Sequence, residues 1–358
     1  MCDREGLGAT NGRDHHPFAR ATKLKRVGIG IFLLLLLVFP LFASPFHLDL
    51  SCQTFIAAIA ALALMQLTGF AGQISLGHAG LLAAGAFTVG ILSKETGSGF
   101  WITIPAAAVT GALLGFVFGL PSLRLRGLYL AVSTLALHFL VIYAAGEYET
   151  KRGFSTGIIV DPPRAFGYDI YDPRVWYFVL LALLAAVLWM ISNLLSFRTG
   201  KAWGAIRANE TVAEALGINI ARYKLLAFVV SSSITAVAGA LFAYYRGFVS
   251  VEAFSLYLAI QYIAMVIVGG MGSLIGALLG AAFITVFPYV IEGLLLRLPG
   301  AQSYTSSVFA VNYAMFGLMM IFFLLVEPGG LVGVWRRISA GYMLRTLRRW
   351  TGTERIDG

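Results

Sequence analysis

One long polar segment in the second half of the chain, Phe197 to Lys224, lies between apolar stretches and carries charges of both signs. A loop of this length with an excess of Lys and Arg stays on the cytoplasmic side of a membrane. We therefore predict that the polar segment faces the cytosol, where its charges can bind a protein partner. It contains two acidic and five basic residues, which are Glu210, Glu214, Arg198, Lys201, Arg207, Arg222 and Lys224.

Helical periodicity runs through the polar segment from Lys201 to Leu216. Apolar residues recur there at three- and four-residue steps or their sums, and Gly217 follows where a helix would end. Thr211 with Glu214 fits a capping box, so the alternative is two short helices broken near Asn209. A narrow apolar stripe on a basic helix favours either a protein partner or a position on the lipid headgroups.

A second group of polar side chains interrupts an apolar run at Thr68 to Gly80, and it consists of Gln73, Ser75 and His78 among four glycines. Irregular backbone at membrane depth is tolerated only where it is buried in protein or lines a cavity. These side chains are therefore candidates for a solute path. The alternative is that the glycines allow close helix packing and that His78, like His138, is a hydrogen-bonded packing residue.

The sequence lacks the residue patterns that several kinds of chemistry require. The sequence has no G-x-x-x-x-G-K-[ST] loop for a nucleotide, no paired carboxylates for catalysis and no cluster of metal ligands. His15 and His16 have no further ligand nearby, and Cys2 and Cys52 imply neither a disulfide framework nor a thiolate site. We expect no catalytic residue, no metal and no cofactor, and therefore not an enzyme.

Composition indicates a polytopic membrane protein: 59% of the 358 residues are hydrophobic and 12% are charged, against about 25% charged in soluble domains. The net charge of +9 comes from basic residues at the two termini and between apolar spans. That distribution follows the positive-inside rule, so we expect membrane lipid and no nucleic acid as a partner.

The elements that position these residues are about ten predicted transmembrane helices. The spans are Val27–Ala43, two within Leu50–Ser93, Trp101–Leu120, Leu128–Gly146, Val175–Leu195, Tyr223–Tyr245, two within Ala253–Ile291, and Val308–Val326. The two long uncharged runs each exceed one crossing of about 30 Å. With both termini cytoplasmic, most of the 26 Lys and Arg residues lie inside.

This topology predicts three parts. Residues 1–26 form a basic cytoplasmic tail without apolar periodicity, expected to be disordered. Residues 27–334 form the transmembrane domain, with an external loop at 147–174 and the cytoplasmic polar segment at 197–224. Residues 335–358 form a second basic tail on the cytoplasmic lipid surface.

The two long runs are both interrupted by glycines, the second at Gly269, Gly270, Gly272 and Gly276. Gly-interrupted segments at corresponding places in two halves of a chain indicate a transport site. The segments are also weakly alike, since Ser75-Leu76 precedes GHAGLLAAGAF and Ser273-Leu274 precedes IGALLGAAF. We predict a translocation pathway near Gln73, Ser75, His78, Gly269, Gly270 and Gly272.

From about Leu50 to Gly333 the sequence resembles the membrane permeases of bacterial ABC importers, in the branched-chain amino-acid uptake family of the LivM type. Four motifs in order carry the resemblance: Gly72–His78; Arg126–Ala131 with Thr134–Ala136; the polar segment; and Gly269–Ser273. In the polar segment the matching residues are Gly200, Ala205-Ile206-Arg207, Glu210, Ala213-Glu214, Gly217-Ile218 and Lys224.

The resemblance implies a permease that forms half of a path for leucine-like amino acids in a bacterial plasma membrane. It implies a homologous second permease, two cytoplasmic ABC ATPases that grip the polar segment, and an extracytoplasmic solute-binding protein. The ATPase-coupling residues it implies are Gly200, Lys201, Ile206, Arg207, Glu210, Glu214 and Gly217. The alternatives are a permease of the same family for urea, short amides or aromatic acids, or an autonomous channel or secondary carrier.

Overall fold

The computed structural model describes residues 34–125, 127–154, 157–165, 168–169, 171–295, 297, 308–327, 329–335 and 337. The predicted N-terminal tail and nearly all of the predicted C-terminal tail lie outside the described residues, as does Arg126. The chain divides into two compact units, Met1–Leu48 and Asp49–Gly358. The described part of the first unit contains a helix at 34–42 (α1), within the predicted first span, and the start of the next helix.

Helices make up most of the described chain. They are α2 (Pro45–Leu64), α3 (His78–Thr96), α4 (Phe100–Gly119), α5 (Leu128–Arg152), α6 (Pro173–Ser196), α7 (Arg198–Ala208), α8 (Glu210–Ala215), α9 (Ile220–Arg246), α10 (Leu256–Gly269), α11 (Leu274–Leu295) and α12 (Val308–Val326). A π-helical turn, Met65–Phe70, continues α2. Short 3-10 turns lie at Pro121–Leu123 and Val251–Phe254.

Four two-residue strands form two antiparallel pairs. β1 (Ile158–Ile159) pairs with β4 (Phe248–Val249), so that Ile158 lies opposite Val249. β2 (Arg164–Ala165) pairs with β3 (Tyr168–Asp169). α5 extends to Arg152, so the first residues of the predicted loop 147–174 are helical and the strands stiffen the rest.

The core of the second unit is built around α9, which packs on α3 and α4. Its buried face consists largely of small side chains, including Ala236 and Ala240, which are fully buried. Small residues let helix backbones approach closely. A Cβ atom at Gly239 would overlap the carbonyl oxygen of Leu82 on α3, so this contact requires glycine.

Capping side chains define where α9 and α6 begin. The Asn219 side chain accepts a hydrogen bond from the Arg222 amide at 3.0 Å, and Asp172 accepts one from the Arg174 amide at 2.8 Å. Both follow the preference of helix N-termini for Asn and Asp. With 27 residues, α9 is about 40 Å long, so its first residues and Arg246 lie at opposite ends of the second unit.

Both predicted interruptions are present, although Gly80 and Gly276, which were predicted to belong to them, lie inside α3 and α11. We call Met65–Gly77 the first break, because the π-helical turn and an irregular stretch separate α2 from α3. We call Gly269–Ser273 the second break, since it separates α10 from α11. The predicted all-helical membrane fold is therefore confirmed.

Six helical stretches in the described residues are long and apolar enough to cross a membrane, and α10 and part of α12 are shorter apolar helices. The protein is therefore a multi-pass membrane protein. The count of ten crossings stays a prediction.

Candidate functional site

The polar segment folds as two helices, α7 and α8, and therefore as the second of the two predicted alternatives. Asn209 separates them, and its side chain accepts a hydrogen bond from the Val212 amide at 3.2 Å. The predicted capping box of Thr211 and Glu214 is wrong, because Asn209 supplies the N-terminal cap two residues earlier. α7 also begins at Arg198 rather than Lys201.

The apolar stripe of α7 finds its partner within the chain. Trp203 is 1% exposed and packs in a cluster with Leu67, Ala71 and Phe228. Its indole Nε1 donates a hydrogen bond to the Tyr223 carbonyl at 2.8 Å. Since the described contacts bury this stripe against protein, α7 is an anchored element and not a connector lying on headgroups. Leu216, at the end of the predicted stripe, is 72% exposed.

A buried ion pair joins α8 to α9. Lys224 Nζ lies 2.7 Å from Glu210 Oε1, with side chains 7% and 22% exposed. The Lys224 carbonyl accepts a hydrogen bond from Gln73 Nε2 at 3.2 Å. A buried pair is costly to break because the remaining charge stays desolvated, so this contact fixes α8 on the bundle.

Arg207 connects the polar segment to both breaks. Its Nη1 donates a hydrogen bond to the Gly69 carbonyl of the first break. The Nη1 atom also lies against Gly272 of the second break. The Cβ and Cγ atoms of Arg207 pack on Gly72. Gly72 has φ of +71°, which glycine adopts without steric cost. One side chain on α7 therefore touches both predicted pathway segments.

The predicted pathway residues of the first break are buried in a hydrogen-bonded network. Ser231 Oγ donates to the Ala63 carbonyl at 2.8 Å, so the 3.0 Å contact with His78 Nε2 requires the ring nitrogen to donate. Ser75 Oγ lies 3.2 Å from His78 Nδ1. Both ring nitrogens of His78 are thus satisfied, and Gln73, Ser75 and His78 are each at most 3% exposed.

The second break is a tight turn. Gly269 is buried, and Gly270 has φ of +111°. The Gly272 amide lies 3.2 Å from Met65 Sδ. The structure therefore brings the two halves of the predicted pathway set together beside Arg207.

The predicted ATPase-coupling residues divide into two groups. The first group contacts the helix bundle. It consists of Arg207 and Glu210, whose contacts are described above, and Ile206, which is buried. Lys201, Glu214 and Gly217 are exposed, and Gly200 packs against the Leu195 backbone. Glu214 and Gly217 line a cavity of about 520 Å³, together with Glu210, Ile218, Ala221 and Lys224.

Asp49 is a polar residue that the sequence reasoning missed. α2 begins at Pro45, so Asp49 lies within a membrane helix, although it borders the uncharged run that begins at Leu50. Its carboxylate accepts hydrogen bonds from Tyr245 Oη at 2.5 Å and from Gln53 Nε2 at 2.6 Å. The sequence signal that could have located this boundary is Pro45, since proline is common at the first position of a helix.

A cavity of about 250 Å³ lies between α2, α9, α10 and α11, and its polar lining residues include Gln53, Gln261, Tyr262 and Tyr289. No sequence pattern singled out these residues. Within the described residues, no group of three His, Cys, Asp or Glu side chains could hold a metal ion.

An apolar helix bundle with two interrupted helices that meet at one anchored, charged segment defines a membrane transport protein. A model of the family described as the branched-chain amino acid transport system permease component matches residues 47–324. The chain belongs to this family.

Relatives with similar sequences are also transport permeases. The high-affinity branched-chain amino acid permease protein LivM of Salmonella typhimurium is 36% identical over 72% of this chain and 67% of its own length. The autoinducer 2 import permease LsrC of an Enterobacter species is 30% identical over 60% and 62%. The probable branched-chain amino acid permease LivH of Methanocaldococcus jannaschii is 25% identical over 71% and 82%. No solved structure matches.

Proposed function

We propose that the chain is a permease subunit of an ATP-driven importer for leucine-like amino acids and forms half of its translocation pathway. Two cytoplasmic ABC ATPases, a homologous second permease and an extracytoplasmic solute-binding protein complete the assembly. The observation that carries the proposal is the polar segment, which is fixed to both breaks on one side and exposed on the other. Family membership and the similarity to both LivM and LivH proteins support the solute class and the paired permease.

In the proposed membrane orientation, the polar segment and both termini lie in the cytosol of a bacterial cell. The predicted loop 147–174, with β1 to β3, then faces the solute-binding protein. α9 begins at the polar segment and ends at Arg246, so it spans the distance between the two faces. The excess of Lys and Arg on the cytoplasmic side supports this orientation.

The contacts of the polar segment suggest how ATPase motion would reach the membrane. A push on the exposed face of α8, at Val212, Glu214 and Leu216, would move α7 and α8 as one body. The Glu210–Lys224 pair would pass the displacement to α9. Arg207 would pass it to both breaks, where helices without continuous backbone bonding can shift.

Glu214→Lys tests this proposal. The side chain of Glu214 is exposed, so we expect the variant to insert normally and to keep basal ATP hydrolysis. Reversing the charge on the docking face weakens electrostatic complementarity with a partner, so ATP-driven leucine uptake should fall about tenfold or more. The measurement is uptake and hydrolysis by the complete importer in proteoliposomes.

Glu292→Lys provides a matched control, because Glu292 is also exposed and lies in α11, outside the polar segment. It should leave uptake unchanged. Unchanged uptake in Glu214→Lys would contradict ATPase docking at this segment. Uptake by the purified chain without nucleotide or ATPases would instead show a channel or secondary carrier. ATP-driven uptake of urea, amides or aromatic acids without leucine would reject the solute class.

A further inference from the structure

The end of the second unit opposite the polar segment contains an open cavity with charges of both signs. This Asp49 cavity has a volume of about 400 Å³, and its lining includes Asp49, Pro162, Tyr171, Trp176, Tyr245 and Arg246. Asp49 is half-buried, while Arg246 and Tyr171 are exposed. A solute entering from this face would meet these side chains before the membrane interior.

The Asp49 carboxylate is held by neutral donors. Tyr245 and Gln53 each donate one hydrogen bond to a different carboxylate oxygen. Among the described residues no Lys, Arg or His forms an ion pair with Asp49. A carboxylate has about four lone-pair sites, so both oxygens keep capacity for a further donor. An ionisable side chain within a membrane-spanning helix is a candidate for a functional site.

Arg246 supplies the opposite charge in the same cavity. Its guanidinium stacks over the Phe242 ring, 5.9 Å from the centroid, which fixes the direction of an otherwise flexible side chain. Arg246 lines the Asp49 cavity and Phe242 lines the neighbouring 250 Å³ cavity. Guanidinium groups match carboxylates in shape and charge.

A second connection joins the two cavities through polar atoms. Gln53 donates to Asp49 at 2.6 Å, and its Oε1 lies 3.4 Å from Tyr289 Oη. Gln53 and Tyr289 both line the 250 Å³ cavity, whose walls are mostly apolar and include Ile56, Met265 and Ile284. A solute held at Asp49 would therefore have an apolar chamber next to it.

We propose that the Asp49 cavity is an entry site for zwitterionic α-amino acids. Asp49 accepts hydrogen bonds from the ammonium group, Arg246 binds the carboxylate, and the apolar side chain lies toward the chamber at Ile56 and Met265. This inference rests on the proposed function and narrows its solute class. Urea and simple amides carry neither an ammonium group for Asp49 nor a carboxylate for Arg246. Aromatic acids carry a carboxylate but no ammonium group for Asp49.

The test uses the complete importer in proteoliposomes, with ATP-driven uptake of labelled leucine as the assay. Unlabelled leucinamide, which has only the ammonium group, and 4-methylpentanoate, which has only the carboxylate, serve as competitors. The receptor and the ATPases are the same in every sample, so differences between variants come from this chain. Asp161→Asn is the matched control, because Asp161 is an exposed carboxylate at the same end that lines the adjoining cavity of about 280 Å³ and not the Asp49 cavity itself.

We expect Asp49→Asn and Arg246→Gln each to reduce leucine uptake about tenfold, while Asp49→Glu keeps most of it. The competitors should show crossed losses: leucinamide should lose potency in Asp49→Asn and 4-methylpentanoate in Arg246→Gln. A purely structural role would reduce both competitors equally, and that result would overturn the proposal. Unchanged leucine uptake in Arg246→Gln would also overturn it. Arg246 is exposed, so this variant decides the question even if Asp49→Asn fails to insert.

The proposed function fails in a different way. If the wild-type importer takes up no amino acid, the function is wrong and the entry site falls with it. If the wild type imports leucine with ATP and the crossed losses are absent, only the entry site is wrong.

Discussion

The two breaks look alike in sequence but are held by different forces. Contacts with two other helices, α9 and α5, hold the first break and the start of α3: Gln73 donates to the Lys224 carbonyl, the Leu76 amide donates to Thr134 Oγ1, and His78 bonds Ser231. In the second break, backbone packs directly on backbone, since a Cβ atom at Gly269 would overlap the Gly276 carbonyl oxygen.

This difference indicates different mechanical properties. A break held by side-chain hydrogen bonds can exchange partners one at a time, since each bond contributes about 0.5–1.5 kcal/mol. A break held mainly by close backbone contacts has few side chains that can adjust, and packed interiors deform little. We therefore expect the first break to tolerate graded changes at its hydrogen-bonding side chains, and the second break to lose stability when a methyl group is added at Gly269 or Gly270.

The largest effect is expected from Gly270→Val in the second break. Gly270 has φ of +111°, and a Cβ atom there would lie 2.6 Å from the Gly329 carbonyl oxygen. Backbone strain of about 1–3 kcal/mol then adds to the steric overlap. We expect a large loss of folded protein, measured as the midpoint of thermal unfolding in detergent by size-exclusion chromatography.

Gly204→Val is the control for this variant. Gly204 lies in α7 with open space around its Cβ position, so only helix propensity changes. Equal loss of folded protein in both variants would show that the second break is no tighter than an exposed helix.

The sequence predicted where the breaks lie but not what holds them. Glycines and the length of the uncharged runs are local features, so both interruptions were readable. The partners of Gln73 and His78 lie about 150 residues away on α9, and no local pattern encodes such a contact. The same limit applies to Arg207. Its positive charge predicted a cytoplasmic surface, but no local pattern predicted its hydrogen bond to Gly69.

Asp49 shows a different limit. The uncharged run begins one residue later, at Leu50, so Asp49 lies just outside the predicted spans. Its role depends on Tyr245, at the far end of another helix. The polar segment shows the opposite case, because charge and helical periodicity, both local features, predicted the break near Asn209, although the predicted cap was wrong.

An intermediate effect is expected from His78→Ala in the first break. The substitution leaves Ser231 and Ser75 without the ring nitrogens and opens a buried space, at a cost of about 2–3 kcal/mol. Ser231→Ala and the double variant complete a double-mutant cycle by the same thermal assay. We expect the double variant to cost less than the two single losses combined, because they share one contact. Strict additivity would contradict a network centred on His78.

The smallest stability effect is expected from Arg207→Met, the variant that tests whether the two breaks act together. Methionine keeps the apolar stem against Gly72 and removes the guanidinium from Gly69 and Gly272. A lost hydrogen bond from a charged donor costs about 1.5 kcal/mol, and exposure of the side chain reduces that value. Hydrogen exchange should therefore rise in both breaks at once, whereas Arg222→Met, at an exposed arginine of α9, should change neither. Faster exchange in the first break alone would show that Arg207 supports only one of them, since a single connector that held both could not release one without the other.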